Sequence, residues 1–478
     1  MSRYLYERLS GESASFLERE TPRLFGHSAC LLVFDPGPLG RPDGGVDFPT
    51  IRRSIEARLH EAPRFRQKLA WIPFENHPVW VDDRDFRLDY HLRHTSLPRP
   101  GTREQLESTA ARLLAQRLDR SRPPWECWVL EGLEDGRFAI LLKTHLCMVD
   151  DVTRADLMRQ ILSPDPHASV PPAVPFVPRP RPSARELVLD EIVRQASLPR
   201  RLTERVNGLL QDPARLQHEL RSGLLGLAAL LGYAIRQPGE SPLNGRIGPH
   251  RIVSLFRTSL RETRTIAREL DGTVQDVLLA TAAGGLRSFF HDRLVSPAAL
   301  DLRVATPIGL WIRAGDPPGT RRTVEWVVDL PVWEPDPRVR FAAIRDRTRD
   351  LASRADVAPA RRIAGEGSWP GARFLALGAR SLAGHTPVNL TITNVPGPRE
   401  TLYFAGATLQ ESYGLLPLRE HHGLGIAVLS YGDDLFWGLN GDLDLLPDLR
   451  HLGARLQESF HEVRSAALPT PIALSTAI

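Results

Sequence analysis

At 478 residues the chain is too long for a single hydrophobic core and long enough for two ordinary domains. Its 42% hydrophobic and 25% charged residues mark a folded globular protein, not a disordered or fibrous one. A net charge of +4 at pH 7, spread over this length, gives no argument for nucleic acid. The positive charge is carried by arginine, since Lys68 and Lys143 are the only lysines. Arginine forks suit phosphate, so anionic ligands and lipid headgroups stay open as partners beside a plain solvated surface.

Met1 to Gly11 holds no apolar signal core. Asp47 precedes Phe48, Ile51, Ile55 and Leu59, which share one helical face. Thr102 and Gln105 form a capping box ahead of Leu106, Ala110, Leu113 and Leu114. Cys30–Phe34, Trp128–Glu131 and Phe138–Lys143 read as strands. Ser163 to Ser183 carries eight prolines and predicts an extended linker that ends the first domain. Glu186 to Ile235 reads as broken helix, and a second domain follows. There Ser259 and Glu262 predict another capping box, Gly272 ends that helix, and Thr273 caps the next, Val274 to Phe290. Thr323–Leu330, Leu390–Thr393, Gly425–Tyr431 and Leu435–Leu439 read as strands. The period alternates between two and 3.6, so the class is α/β or α+β. The expected division is 1–162, a 163–241 linker and helical connector, 242–467, and a frayed tail at 468–478.

Cys30, Cys127 and Cys147 are odd in number and lack CxxC spacing, which fits a reducing compartment rather than disulfides or a zinc site. No ligand cluster or nucleotide-binding glycine motif implies a metal or redox cofactor. The longest nearly continuous apolar run, Leu224 to Ile235, is 12 residues and falls short of the roughly 20 that span a bilayer. These features predict a cytoplasmic protein, at most attached to a membrane or lipid-inclusion surface.

The segment with most promise for chemistry is Phe138 to His145, reading FAILLKTH. It is a buried strand that meets Leu146, Cys147, Met148, Val149, Asp150 and Asp151 before a helix from Val152 to Leu162. The stretch LDRSRPPWECWVLEGLEDGRFAILLKTHLCMVDD, with Pro124 and Trp125, resembles the approach to the H-H-x-x-x-D-G motif of the bacterial wax ester synthase/diacylglycerol acyltransferase family. ASFLERETP, VDDRDFRLDYHLRHTSLPRPGTREQL, PLNGRIGPHR, TVQDVLLATAAGGLR, TNVPGPRETLYFAGATL, GLGIAVLSYGDDLFWGL and DLDLLPDL follow in that family's order, so the resemblance covers residues 9 to 460.

The resemblance implies two chloramphenicol-acetyltransferase-like or condensation-domain-like halves meeting at a tunnel. It implies transfer of a fatty acyl group from acyl-CoA, a substrate, to diacylglycerol or a long-chain alcohol. The second motif His would take the alcohol proton as general base. Carried over by position, the first His falls on His145, the second on Leu146, the Asp on Asp150 and the Gly on Asp151. Sliding the frame by one puts Val149 at the Asp position. Leu146 has no titratable group. Along an extended strand His145 faces the opposite side, as a structural histidine. Asp150 reads as a loop-orienting carboxylate and Asp151 as a helix cap. Cys147 stands at a small-residue position, with no partner base in view.

The resemblance also marks departures. Gln275 replaces the usual Asn before Asp276, Leu415 and Leu416 replace Val and Ser, and Gly425 replaces Asn. Asn394, Pro396, Gly397 and Pro398 read as a turn that positions the crossover between halves. His27, His421 and His422 are the candidates for a substitute base. Two expectations result: an O-acyltransferase homologue with impaired or altered catalysis, or a silent relative that binds acyl-CoA or neutral lipid or regulates an active paralogue.

Overall fold

The computed structural model describes residues 6–148, 162–194, 239–310, 322–353 and 388–468. The expected helix at 152–162 except Leu162, the connector beyond Arg194 up to residue 238, the run Leu224–Ile235 and the tail past Leu468 lie outside the described residues. So do Asp150 and Asp151.

In the first half, chain order is β1 (Glu7–Arg8), α1 (Gly11–Glu18), β2 (His27–Asp35), α2 (Phe48–Arg58), β3 (Gln67–Trp71), β4 (Pro78–Asp82), β5 (Leu92–Ser96), α3 (Arg103–Leu114), β6 (Trp125–Glu131) and β7 (Phe138–His145). The second half holds β8 (Arg251–Ser259), α4 (Leu260–Glu269), α5 (Val274–Asp292), β9 (Leu302–Leu310), β10 (Arg322–Leu330), α6 (Pro337–Ser353) and β11 (Leu390–Val395). It continues with β12 (Tyr403–Phe404), β13 (Ala407–Leu415), β14 (Leu424–Tyr431), β15 (Asp434–Asp442) and α7 (Leu449–Ala467).

Two six-stranded sheets organise the molecule, in the orders β12-β13-β2-β7-β6-β5 and β10-β9-β11-β14-β15-β8. The stretch 242–467 therefore does not stay within one half. β12 and β13 leave it and extend the first sheet, with β13 antiparallel to β2. The two sheets have separate apolar cores. One is built on Leu31, Phe34, Leu141 and Phe138, the other on α5, Ile392, Ile426 and Trp437. β7 is central and covered on both faces, which is why its sequence is almost continuously apolar and every residue of it is buried.

α3 begins with the expected box, in which Thr102 and Gln105 satisfy each other's backbone. Its C-terminal carbonyls are met from the sheet. Lys143 Nζ donates to Leu113 and Gln116 (2.9 and 3.0 Å), and His27 Nε2 bonds Leu114 O (2.8 Å). A cation at a helix C-terminus is favourable, and Lys143, fully buried, also pairs with Glu126 at 3.0 Å. Ser163–Ser183 runs without helix along the first half. Arg179 grips Asp82 (2.8 Å), and Phe176 lies under the Arg66 guanidinium.

Two local expectations are corrected. Ser259 caps α4, but Glu262 does not complete a box: its carboxylate reaches Arg464 (3.1 Å), while Ser259 is held in the β8–β15 ladder. Gly272 is not the left-handed residue that ends α4. That residue is Asp271 (φ 53°), and the Gly272 N–H closes the turn onto Ala267 O (2.8 Å).

Candidate active site

β7 ends at His145, and Leu146–Met148 form a single 3₁₀ turn. The junction is pinned from two sides. The His145 N–H donates to Pro124 O (3.0 Å), and the Leu146 N–H donates to Gly26 O (2.7 Å). Leu146 is buried and offers only methyl groups.

The His145 ring is fully engaged. Its Nε2 bonds Glu20 Oε1 (3.0 Å), and its Nδ1 accepts from the Cys147 N–H (3.0 Å). Accepting at Nδ1 assigns the ring proton to Nε2. Neither nitrogen is left to take a proton from a hydroxyl unless one of these bonds breaks. Burial alone would raise the Glu20 carboxyl, but His145, the Gly26 N–H (2.7 Å) and Arg120 outweigh it and hold it at about 2. Gly26 must approach closely here: a Cβ would stand 3.0 Å from His145 Nε2. Glu20 and Gly26 were not among the residues singled out from sequence. Their signal was only their place, Glu20 within the ASFLERETP segment and Gly26 four residues after it.

The three candidate substitutes fall in two places, His27 on β2 and the adjacent pair His421 and His422 on a turn. His27 pairs directly with His145 across β2 and β7. Burial first, then the Lys143 charge, pushes its ring down to about 3. His421 and His422 sit on a turn against Asn244; His421 is exposed and His422 buried. Cys147 packs among Leu9, Leu17, Leu69 and Trp80, and burial pushes its thiol far up, away from thiolate chemistry.

The remaining candidates take up places in the framework. Trp125 stacks on His91 (centroids 4.6 Å apart) and donates to Phe65 O (2.8 Å). Pro124 supplies the carbonyl that meets His145. Gln275 donates to Thr306 Oγ1 (3.0 Å). Asp276, buried, completes the box with Thr273 and accepts from Thr348 (2.7 Å), so both its oxygens are used. Asn394 is the residue before the end of β11, paired with Val428, and Pro396–Pro398 turn along β14, where the Gly397 N–H meets Ser430 Oγ (2.9 Å) before the chain crosses to the first sheet. Among the described residues no cluster of His, Cys, Asp or Glu could hold a metal ion.

Two α/β halves that share a crossover strand, with the motif turn at the end of the first sheet's central strand, have the fold of condensation domains. The first condensation domain of the calcium-dependent antibiotic synthetase superposes with a TM-score of 0.58 at 13% identity, covering 97% of each chain. The wax ester synthase/diacylglycerol acyltransferase of Marinobacter aquaeolei VT8 superposes with a TM-score of 0.67 at 23% identity, over 96% of this chain and 99% of that one.

Within that class the sequence is more specific. Residues 9–278 match the wax ester synthase/diacylglycerol acyltransferase catalytic domain, and residues 325–464 match the C-terminal domain of the same family. The Mycobacterium tuberculosis protein MT1809, whose name is that of a diacylglycerol O-acyltransferase, is 31% identical over 96% of this chain and 90% of its own. The tgs1 protein of the same species, which bears the same activity in its name, is 30% identical over 86% and 87%. The chain belongs to the wax ester synthase/diacylglycerol acyltransferase family. Among the described residues, no helix is long and apolar enough to cross a membrane.

Proposed function

We propose that this protein binds a fatty acyl-CoA and a diacylglycerol or long-chain alcohol between its halves, and transfers the acyl group slowly because its base position is Leu146. In the reaction the alcohol oxygen attacks the thioester carbonyl, the ester C–O bond forms, the C–S bond breaks, and the hydroxyl proton ends on the departing CoA sulfur. A positioned base contributes roughly 10²–10⁴ in rate to that step, about 3–5 kcal/mol. Alignment of the two substrates outlasts its loss. The observation that carries the reading is the junction at residue 146: an apolar side chain where the strand closes, beside a His145 whose ring is already committed.

That same commitment favours a second reading, a silent relative that holds acyl-CoA or neutral lipid without turnover. Water-insoluble acceptors place either activity at a membrane or lipid-inclusion surface within the cytoplasm. No cofactor is needed, and CoA leaves as product.

Transfer from labelled palmitoyl-CoA to dioleoylglycerol and to hexadecanol tests both readings. Leu146→His is expected to raise ester formation by roughly 10²–10⁴. Wild type forming ester above the buffer control supports the slow transferase. An inert wild type beside an active variant supports the silent relative. An inert variant that still folds overturns the assignment of residue 146 as the base position.

A further inference from the structure

A strip of surface between the two sheets is filled by neither core. β13 crosses the face of the second sheet so closely that a Cβ at Gly414 would stand 2.6 Å from Leu429 Cδ1 and 3.1 Å from Ala427 Cβ. Alternation puts Gly425, Ala427 and Leu429 of β14 on that face, while Leu424, Ile426 and Val428 turn into the second core. From the first half, β13 stays paired with β2 up to Leu415 and Ala29, and Leu416 follows directly. Ser28 pairs with Thr144, two residues before Leu146. Leu416 therefore leaves β13 at the end of the sheet where β2 and β7 run into the motif turn. Ser28, Cys30, Gly414, Leu416 and Leu429 are only half-buried, although they lie among buried strands.

Leu416 occupies a recess. A Cβ at Gly425 would stand 3.2 Å from Leu416 Cβ and 3.8 Å from its Cδ1, so bulk at one position excludes bulk at the other. Asn440 is the direct partner of Gly425 in the β14–β15 ladder. It is 2% exposed, and its Nδ2 donates to the Leu416 carbonyl at 2.7 Å, which fixes the backbone where it leaves β13. Its Oδ1 meets no donor among the described residues. A polar acceptor thus sits beside an apolar plug.

We propose that Leu416 is a specificity-determining residue: it plugs the recess made by Gly425 and Asn440 and so ends, on that side, the channel that holds a hydrocarbon chain. Gly414, Leu416, Ala427 and Leu429 carry no charge and no hydrogen-bonding side chain, which fits an alkyl chain. The chain belongs either to the acyl thioester or to the acceptor alcohol. The inference rests on the acyl-transfer reading given above.

The test titrates wild type, Leu416→Ala, Leu416→Phe and Gly425→Ala with octanoyl-, dodecanoyl-, hexadecanoyl- and octadecanoyl-CoA, and separately with the matching alcohols. Leu416→Ala is expected to shift preference toward longer chains by about tenfold in relative affinity. Leu416→Phe shifts it toward shorter ones. Gly425→Ala, pressing Leu416 from the other side, moves in the direction of Leu416→Phe and serves if that variant does not fold. CoA without an acyl group binds all four alike. A shift among thioesters assigns the recess to the acyl chain, and a shift among alcohols alone assigns it to the acceptor; both support the plug. Unchanged preferences in both series, with folded variants that bind, overturn it and leave the acyl-transfer reading standing. If wild type binds neither series, that reading falls and the plug falls with it.

Discussion

The ring of His145 donates from Nε2 and accepts at Nδ1, and so ties α1's flank, through Glu20, to the turn after β7. The residue beside it across the sheet, His27, sets an acid limit on stability. Its folded pKa of about 3 lies below the ordinary 6.5, because burial and Lys143 disfavour the charged ring. The unfolded chain then binds a proton between these values that the folded chain refuses, and stability falls as pH drops through that window. Glu20, at about 2 against 4.5, adds a second loss below pH 4.5. His27→Gln should remove up to about 1.4 kcal/mol per pH unit of slope between pH 6.5 and 4.5, read from urea midpoints. His77 and His91 are depressed in the same direction, burial first, so wild-type slope is reduced and not abolished. A slope unchanged by His27→Gln would contradict the neutral buried ring.

At the scale of elements, helix ends decide several features. α4 closes with Asp271 in the left-handed region, where a side chain costs about 1–2 kcal/mol that glycine avoids. Its ion pair with Arg349 is solvent-exposed and offsets little of this. Asp271→Gly should raise stability by about 0.5–1 kcal/mol, seen as a higher melting temperature with unchanged circular dichroism. α3 carries a heavier duty. Its C-terminus rests on Lys143 and His27, next to the motif strand. Its outer face bears Arg103 and Glu107, both bonded to the second half. One helix therefore touches the candidate site and the interface between halves.

At the scale of the whole molecule, two buried carboxylates hold the halves together. Glu107 accepts the N–H of Leu255 on the edge strand β8 (2.8 Å) and the guanidinium of Arg450 (2.7 Å). Glu411, on the crossover strand, accepts from Arg103 through both oxygens and from Arg137 and Tyr413. Removing one partner of a buried pair leaves the other uncompensated. Glu411→Ala should cost roughly 3–5 kcal/mol and lower the calorimetric midpoint, since β13 is stitched to the first sheet there. A change below about 0.5 kcal/mol would show that apolar packing alone seats the strand.

Much of this architecture was legible locally. Periodicity located β2, β6, β7, β14 and β15 to within a few residues. The Thr102 box and the Thr273 cap announced α3 and α5, because capping and strand alternation are decided by neighbours in the chain. That residue 146 cannot accept a proton was legible as well, since a leucine side chain needs no partner to be inert in that way. What local pattern could not reach was every partner far along the chain: Glu20 for His145, Glu107 for Leu255, Arg464 for Glu262, and Gly425 for Leu416. The passage of β12 and β13 into the other sheet belongs with these. The sequence by itself determined the family, most of the elements and the apolar side chain at residue 146. The tertiary structure alone decided how His145 is spent and what Leu416 fills, because hydrogen bonds and shared volume form between residues that only folding brings together.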